Sequence, residues 1–502
     1  MRNSDTILNG ELVLSNIQLR SNISIPADKM MLPIIDRTLQ EPICRQLYRQ
    51  IRTQILDGTL RQGEALVSTR QLASDLGVSR STVVEAYDML LSEGFLESRQ
   101  GSQTVVAQGV AIHATQEEET PQIEKPHRKI DADFTTGRPD LDQFPRAQWI
   151  RLLHQAAQDL QPDDYGYSGP IGYTPLRVEI ASWLSRSRGI AVDAEDVFIT
   201  AGATQALRIL ADLLCTNRGR VVMEDPCHKG LYNTLTACNC EIVPIPADDH
   251  GLRTDLLTGQ EHARMVYITP SHQFPLGGIL PAARRAALIR YAREQEIYLV
   301  EDDYDSEFRF SGAPISPLYA LDPQRVIYIG TFSKTVFPAL RIGFVLLPKE
   351  LQSRWSYLRT HHDVQNPMFE QAALAEFLRS RALDRHTRAM RNRYAKRRQA
   401  LVSALCEEFG ESCTVCGDAA GLHLAASFAG MRFDTSFQRY CLERGVVVST
   451  MESHCIIKGR HEDQLLLGYG HLTPEEIASS VHLLAACIRE NKSQTVDDCM
   501  AT

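Results

Sequence analysis

The chain has 502 residues, 43% of them hydrophobic, with 53 Lys and Arg against 62 Asp and Glu, for a formal net charge of −9. That length exceeds one ordinary core and implies two or more domains, and the acidic balance argues against non-specific coating of nucleic acid while allowing a small local DNA-binding face. No apolar run approaches about 18 residues and no secretory segment opens the chain, so no membrane role is expected and the cytoplasm is the expected compartment.

The 12 cysteines are scattered, as suits a reducing compartment. Cys413-Thr414-Val415-Cys416 is a lone CxxC with no second pair at ligand spacing, so two part-buried thiols are expected and no metal site.

Residues 1–30 show neither periodicity nor caps. They read as a disordered tail, or as an extension upstream of a misassigned start, because Met30 and Met31 stand directly before the first patterned segment. From Pro42 onward, Ile43, Leu47, Ile51 and Ile55 recur at helical spacing and Asp57-Gly58 closes the helix. Ser68 or Thr69 caps a short helix carrying Leu72 and Ala73, and Gly77 makes a turn. Ser79 caps a third helix with Val83, Ala86, Tyr87, Leu90 and Leu91 on its apolar side, ended by Gly94. Two short strands around a glycine turn fill 95–106. Helix, helix, turn, helix, hairpin is a winged helix-turn-helix, here spanning 31–107.

This stretch resembles the GntR family. Leu66-Val67-Ser68-Thr69-Arg70-Gln71-Leu72-Ala73 is similar to that family's second helix, with Val67 where proline is usual, and Gly77-Val78-Ser79-Arg80-Ser81-Thr82-Val83 is similar to its turn and recognition helix. The resemblance implies that Arg70, Arg80, Ser81 and Thr82 face double-stranded DNA and that Gly101 tips the wing. The physical logic agrees, since side chains at the start of a recognition helix reach base edges and arginine binds guanine through two hydrogen bonds.

Residues 108–131 form a linker with Glu117-Glu118-Glu119, Pro121, Pro126 and few large apolar residues. As a flexible coil it spans about 25–30 Å root-mean-square. A larger domain follows over 132–490, with a tail at 491–502. Its strands alternate with helices, which predicts an α/β fold with a largely parallel sheet.

Within it, the strand Val197-Phe198-Ile199-Thr200 runs into Ala201-Gly202-Ala203-Thr204 and then a helix, and a small-residue loop feeding a helix N-terminus is a phosphate cradle. Val221–Pro226 and Met265–Pro270 are further strand-to-loop junctions. Ile297–Val300 runs into Glu301-Asp302-Asp303-Tyr304, and Val326–Ile329 into Gly330-Thr331-Phe332-Ser333-Lys334, with Arg341 following. Ligands of such sheets bind at the carboxyl ends of the strands, where these motifs fall. The parts suit pyridoxal 5'-phosphate: an amine for a Schiff base, a carboxylate for the pyridine nitrogen, a tyrosine for the ring oxygen, and hydroxyls, amides and an arginine for the phosphate.

Residues 133–490 resemble fold-type I, aspartate-aminotransferase-like enzymes, and with the head they resemble the MocR/GabR family of transcriptional regulators. The motifs are Thr269–Pro275, Glu301–Phe308, Thr331–Lys334 with Leu340–Gly343, and Gly169–Tyr173 with Leu176-Arg177. The resemblance implies that Lys334 is the Schiff-base lysine, that Asp302 faces the pyridine nitrogen and Tyr304 the ring oxygen, and that Ala203, Thr204, Thr331 and Arg341 hold the phosphate. Asp303 and Asp305 compete with Asp302, which is preferred as the first after the buried strand; Asp303 reads as a structural partner.

Three departures carry information. His228 stands where the family has an aromatic ring stacked on the pyridine. Phe274 replaces an asparagine of the aminotransferases, as in the MocR-like pattern. Leu465-Leu466-Leu467-Gly468-Tyr469 falls where aminotransferases carry an arginine that binds the substrate α-carboxylate, which leucine cannot do; Arg460 is the nearest substitute. Two functions follow: a homodimeric transcription factor whose enzyme-like domain senses an amine-bearing effector or the cofactor itself, or a working aminotransferase with an appended DNA-binding module.

Overall fold

The computed structural model describes residues 31–98, 103–110, 129–216, 218–259, 262–312 and 315–500. The 1–30 tail, Gly101 and most of the 108–131 linker lie outside them. The chain divides into two compact units, residues 1–126 and 127–502.

In the first unit, α1 (Ile43–Leu56), α2 (Thr69–Leu76) and α3 (Arg80–Ser92) precede a hairpin of β1 (Leu96–Glu97) and β2 (Val105–Val106). The helices begin and end where the sequence supplies caps. Ser68 Oγ accepts from the Gln71 amide at 3.2 Å and Ser79 Oγ from the Thr82 amide at 3.2 Å, while Gly77, at φ +61°, supplies the left-handed end of α2. Leu47, Ile51, Ile55, Leu72, Val83, Leu90, Leu96 and Val106 meet in one core. Burying a side chain of this size contributes about 1.5–3 kcal/mol. Val67, in the place usual for proline, is half exposed, and its carbonyl accepts from Tyr87 Oη at 2.9 Å.

The second unit opens with β3 (Ala132–Asp133), α4 (Arg146–Asp159) and α5 (Thr174–Arg188). There follow β4 (Val197–Thr200), α6 (Ala203–Leu214), β5 (Arg220–Asp225), α7 (Lys229–Ala237), β6 (Glu241–Asp248), β7 (Gly251–Leu252), β8 (Ala263–Ile268), α8 (Ala282–Glu294), β9 (Tyr298–Asp303), β10 (Val326–Thr331) and β11 (Gly343–Leu346). These strands form one sheet in the order β4-β11-β10-β9-β8-β5-β6-β7; the run from β10 to β6 is parallel, and β11 is antiparallel to both its neighbours.

Alternate strand residues feed opposite cores. Val222, Val266, Leu299 and Tyr328 pack with residues of α5, α8 and α10 (Met368–Arg379), whereas Val221, Met265, Val300 and Ile327 pack with α6, α7 and α9 (Lys349–His362). The sheet is thus covered on both faces.

A second layer closes the unit. It comprises α11 (Ala382–Phe409), β12 (Cys413–Cys416), β13 (His423–Phe428), α12 (Thr435–Glu443), β14 (Val446–Val447), β15 (Ser449–Thr450), β16 (Gln464–Gly468) and α13 (Pro474–Met500). The antiparallel order is β12-β13-β16-β15, with α11 and α13 against it. Helix α13 runs into the segment expected to be a tail. Cys413 and Cys416 lie on β12 as half-buried free thiols.

Candidate functional site

The carboxyl ends of β4, β8, β9 and β10 converge on a cavity of about 180 Å³. Its lining includes Ala203, Thr204, His228, Asp302, Tyr304, Thr331, Lys334 and Arg341, so all eight residues expected at the cofactor are brought together. The strand alternation of β9 sorts its carboxylates. Glu301 accepts from the Leu318 and Tyr319 amides at 3.0 and 2.9 Å, and Asp303 pairs with Arg188 and accepts from Tyr328 Oη at 2.6 Å, away from the cavity. Asp302 points the other way. The strand extends through Asp303, three residues past its expected end, so these carboxylates sit within the sheet.

Asp302 is buried. Its Oδ2 accepts from Tyr267 Oη at 2.6 Å, and its Oδ1 has no partner. Burial pushes the carboxyl up to about 7, the charges of Asp303 and Asp305 adding to the effect against the Tyr267 bond. An orphaned acceptor of this kind fits a protonated ring nitrogen, which would satisfy the oxygen and restore the carboxylate.

Lys334 Nζ donates to the Gly137 carbonyl at 2.7 Å. Burial lowers its pKa against the pull of Asp305 and Asp302, favouring the neutral, nucleophilic amine. Gly137 has φ +69°, which favours glycine, and a Cβ there would lie 2.7 Å from Nζ and push the amine aside.

The phosphate end is a cradle. Gly202, at φ +93°, precedes α6, whose first residues are Ala203 and Thr204. A Cβ on Gly202 would meet the Arg341 guanidinium at 3.0 Å. Arg341 itself adopts φ +51° and donates to the Ala201 carbonyl at 2.5 Å. A glycine-led helix N-terminus with a guanidinium over it, held there by a left-handed arginine backbone, suits a bound anion. Thr331 Oγ1 accepts from the Ser333 amide at 3.2 Å and fixes the turn between β10 and Lys334.

Tyr304 Oη is 3.0 Å from His272 Nδ1, which also lies 3.0 Å from Asp305 Oδ1. Burial opposes a charge on His272, but Asp305 outweighs it and raises the ring's pKa. Asp305 therefore anchors a histidine behind Tyr304. His228 caps α7 at the cavity mouth, its Nδ1 accepting from the Leu231 amide at 3.3 Å and its ring 5.1 Å from Phe274. Arg460 does not line the cavity. Gly137, Tyr267 and His423 are lining residues that sequence reasoning missed. The Thr269–Pro275 motif held the only local signal, for His272.

In the head, Arg70, Arg80 and Ser81 are exposed and Thr82 is half-buried, the last three in the first turn of α3. Ser81 and Thr82 hydroxyls lie 2.8 and 2.7 Å from Ser79 Oγ, so the cap holds them in place, and Arg80 is exposed beside them. Among the described residues no helix is long and apolar enough to cross a membrane, and no cluster of metal-ligating side chains occurs.

The family described as "Bacterial regulatory proteins, gntR family" matches residues 44–106, and "Aminotransferase class I and II" matches residues 130–477. The chain is 34% identical to the probable rhizopine catabolism regulatory protein MocR of Rhizobium meliloti, over 90% of this chain and 94% of that one. It is 34% identical to the pyridoxine biosynthesis transcriptional regulator PdxR of Corynebacterium glutamicum, over 72% of this chain and 78% of that one. Among solved structures, the Pyrococcus horikoshii kynurenine aminotransferase in complex with PMP superposes with a TM-score of 0.67 at 25% identity, over 73% of this chain and 92% of that one.

Proposed function

The chain belongs to the MocR family of helix-turn-helix transcriptional regulators, and from that premise we propose that its aminotransferase-like domain holds pyridoxal 5'-phosphate and uses it to sense an amine-bearing effector, or the cofactor itself, so as to alter operator binding. One observation carries the reading. The unpartnered Asp302 Oδ1, the Lys334 amine, and the Arg341 guanidinium over the N-terminus of α6 face a single cavity.

Bound there, the cofactor supplies an aldehyde that couples to primary amines and a ring that withdraws electrons. The protein's own part is positional. Asp302 would hold a proton on the ring nitrogen, Tyr304 would meet the ring oxygen with His272 and Asp305 behind it, and Ala203, Thr204, Thr331 and Arg341 would take the phosphate. Lys334, whose amine burial makes easier to deprotonate, would be the nitrogen that holds the cofactor's aldehyde.

Arg80, with Arg70, Ser81 and Thr82, reads the operator. The functional unit is a homodimer in the cytoplasm, because heads of this kind bind paired half-sites. Tyr165 and Tyr167, 59% and 88% exposed in one chain, are the side chains assigned to reach the partner's cofactor. A monomer at micromolar concentration that still binds cofactor fully would refute this arrangement.

The intact lysine, aspartate and tyrosine also favour a second reading, catalysed transamination. Leu465, Leu466 and Leu467, all fully buried and apolar, weigh against it for ordinary amino acids. Steady-state assays across amino donors, run beside operator titrations with and without cofactor, separate the two. Turnover without any effect on DNA binding would overturn the regulator reading.

A further inference from the structure

His423 opens β13 opposite Gly468 of β16, is 1% exposed, and lines the cavity beside Phe274, their ring centroids 5.0 Å apart. The Pro275 carbonyl is an acceptor beside the ring, and Nε2 is among the buried atoms without a partner in the described residues. Burial, with His272 alongside, holds the ring well below its ordinary pKa. A neutral imidazole carries one N–H and offers a lone pair on its other nitrogen. Among the described residues no protein donor meets it.

The charges around that lone pair are already committed. The cavity's charged lining residues are Asp302, Asp305, Lys334 and Arg341. The function proposed above assigns three of them to the cofactor, and Asp305 holds His272. His228 and His454, within 5.1 and 5.3 Å of Phe274, are kept toward their neutral forms by burial. Leu466 packs with Phe274 and Met451 in an apolar cluster. A carboxylate entering here would lose its hydration and find no free cation among the described lining residues, whereas a hydroxyl or amine N–H would meet a waiting acceptor.

We propose that the effector site takes a primary amine that bears a hydroxyl or second N–H donor and no carboxylate on the amine-bearing carbon, with His423 accepting that donor's hydrogen bond. The inference rests on the cofactor-sensing function above and narrows its ligand.

The test uses the full chain loaded with pyridoxal 5'-phosphate and three amines of one carbon skeleton: 2-amino-1,3-propanediol, isopropylamine and L-serine. Each is titrated at fixed pH and followed by the change in the cofactor's visible absorption. The expected apparent Kd for the diol lies at least about tenfold below that for L-serine. His423→Phe raises the diol's Kd about tenfold and moves isopropylamine by less than about twofold, and His423→Gln, which keeps an acceptor, retains most of the preference. L-Serine binding as tightly as the diol, or His423→Phe moving diol and isopropylamine alike, overturns the inference and leaves the regulator reading standing. A wild-type chain that takes up no cofactor overturns that reading and this inference with it.

Discussion

In the head, Ser68, Ser79 and Gly77 cap their helices through groups three or four residues away, whereas in the larger unit Lys334 meets Gly137 across 197 residues of chain and Arg341 meets Ala201 across 140. Arg80 stands free in solvent on a locally specified helix, while Asp302 is buried with one oxygen unmet. A recognition surface of the first kind needs only a stable scaffold and a few exposed side chains. A site of the second kind needs several strands in register, and it keeps unsatisfied polar atoms that only a ligand completes. Changes in the head are therefore expected to alter affinity in graded steps, and changes in the cavity to alter chemistry outright.

The sharpest break in that comparison is Lys334→Ala. Removing the amine should abolish the lysine-linked visible band and the cofactor adduct trapped by borohydride, while the fold persists because the phosphate contacts remain. A variant that keeps a borohydride-reducible adduct would remove Lys334 from its role.

Asp302→Asn tests the buried, unmet carboxyl in the cofactor-free chain. Its folded pKa, about 7, stands above the ordinary 3.8, so the fold binds a proton that the unfolded chain releases. The stability this contributes is present below about pH 4 and is lost as pH rises to about 7, by at most about 1.4 kcal/mol per pH unit. Urea unfolding of wild type and variant at pH 5, 6 and 7 should show a steeper fall for wild type. Parallel curves would mean that Asp302 titrates normally.

Arg80→Ala should weaken operator binding by about 1–3 kcal/mol at one operator position if the side chain reads a base edge, with the cofactor spectrum unchanged. If it contacts only phosphate, affinity falls for every sequence and the salt slope drops by about one. Unchanged gel-shift affinity would take Arg80 out of the interface.

Gly137→Ala brings a left-handed backbone strain of about 1–2 kcal/mol and a clash with Lys334 Nζ. Slower cofactor coupling with little change in DNA affinity is expected, read by stopped-flow absorbance. Smallest of all is removal of residues 1–29, expected to leave operator and cofactor binding unchanged at two salt concentrations. A tenfold loss, about 1.4 kcal/mol, would place the segment on DNA.

What was legible in the sequence follows the same division. The head's helices could be placed from Ile43, Leu47, Ile51 and Ile55 and from serine caps, because the groups that decide them are neighbours in the chain. Lys334 and Asp302 were legible because each stands at the carboxyl end of a buried strand, where an α/β sheet puts its ligands, and Arg341 because it follows Lys334 at the spacing of the family the chain resembles. Gly137 and His423 were not. Gly137 matters only because Lys334 arrives over it, and His423 looks like one more residue of an apolar strand until β13 and Phe274 are seen together. The end of β9 lies beyond its expected place because three carboxylates in a row resemble a loop, and Arg188, Tyr328, Tyr267 and the Leu318 and Tyr319 amides make them tolerable inside a sheet.

The proposed function requires above all that the cavity control the head. It is tested most directly by titrating an operator fragment with full-length wild type and with Lys334→Ala, each without cofactor, with pyridoxal 5'-phosphate, and with the cofactor plus 2-amino-1,3-propanediol. Wild-type affinity is expected to shift by about fivefold or more between states, as a coupling of at least about 1 kcal/mol requires, and the shift caused by the amine should vanish in the variant. Equal operator affinity of the wild type in all three states would contradict the claim.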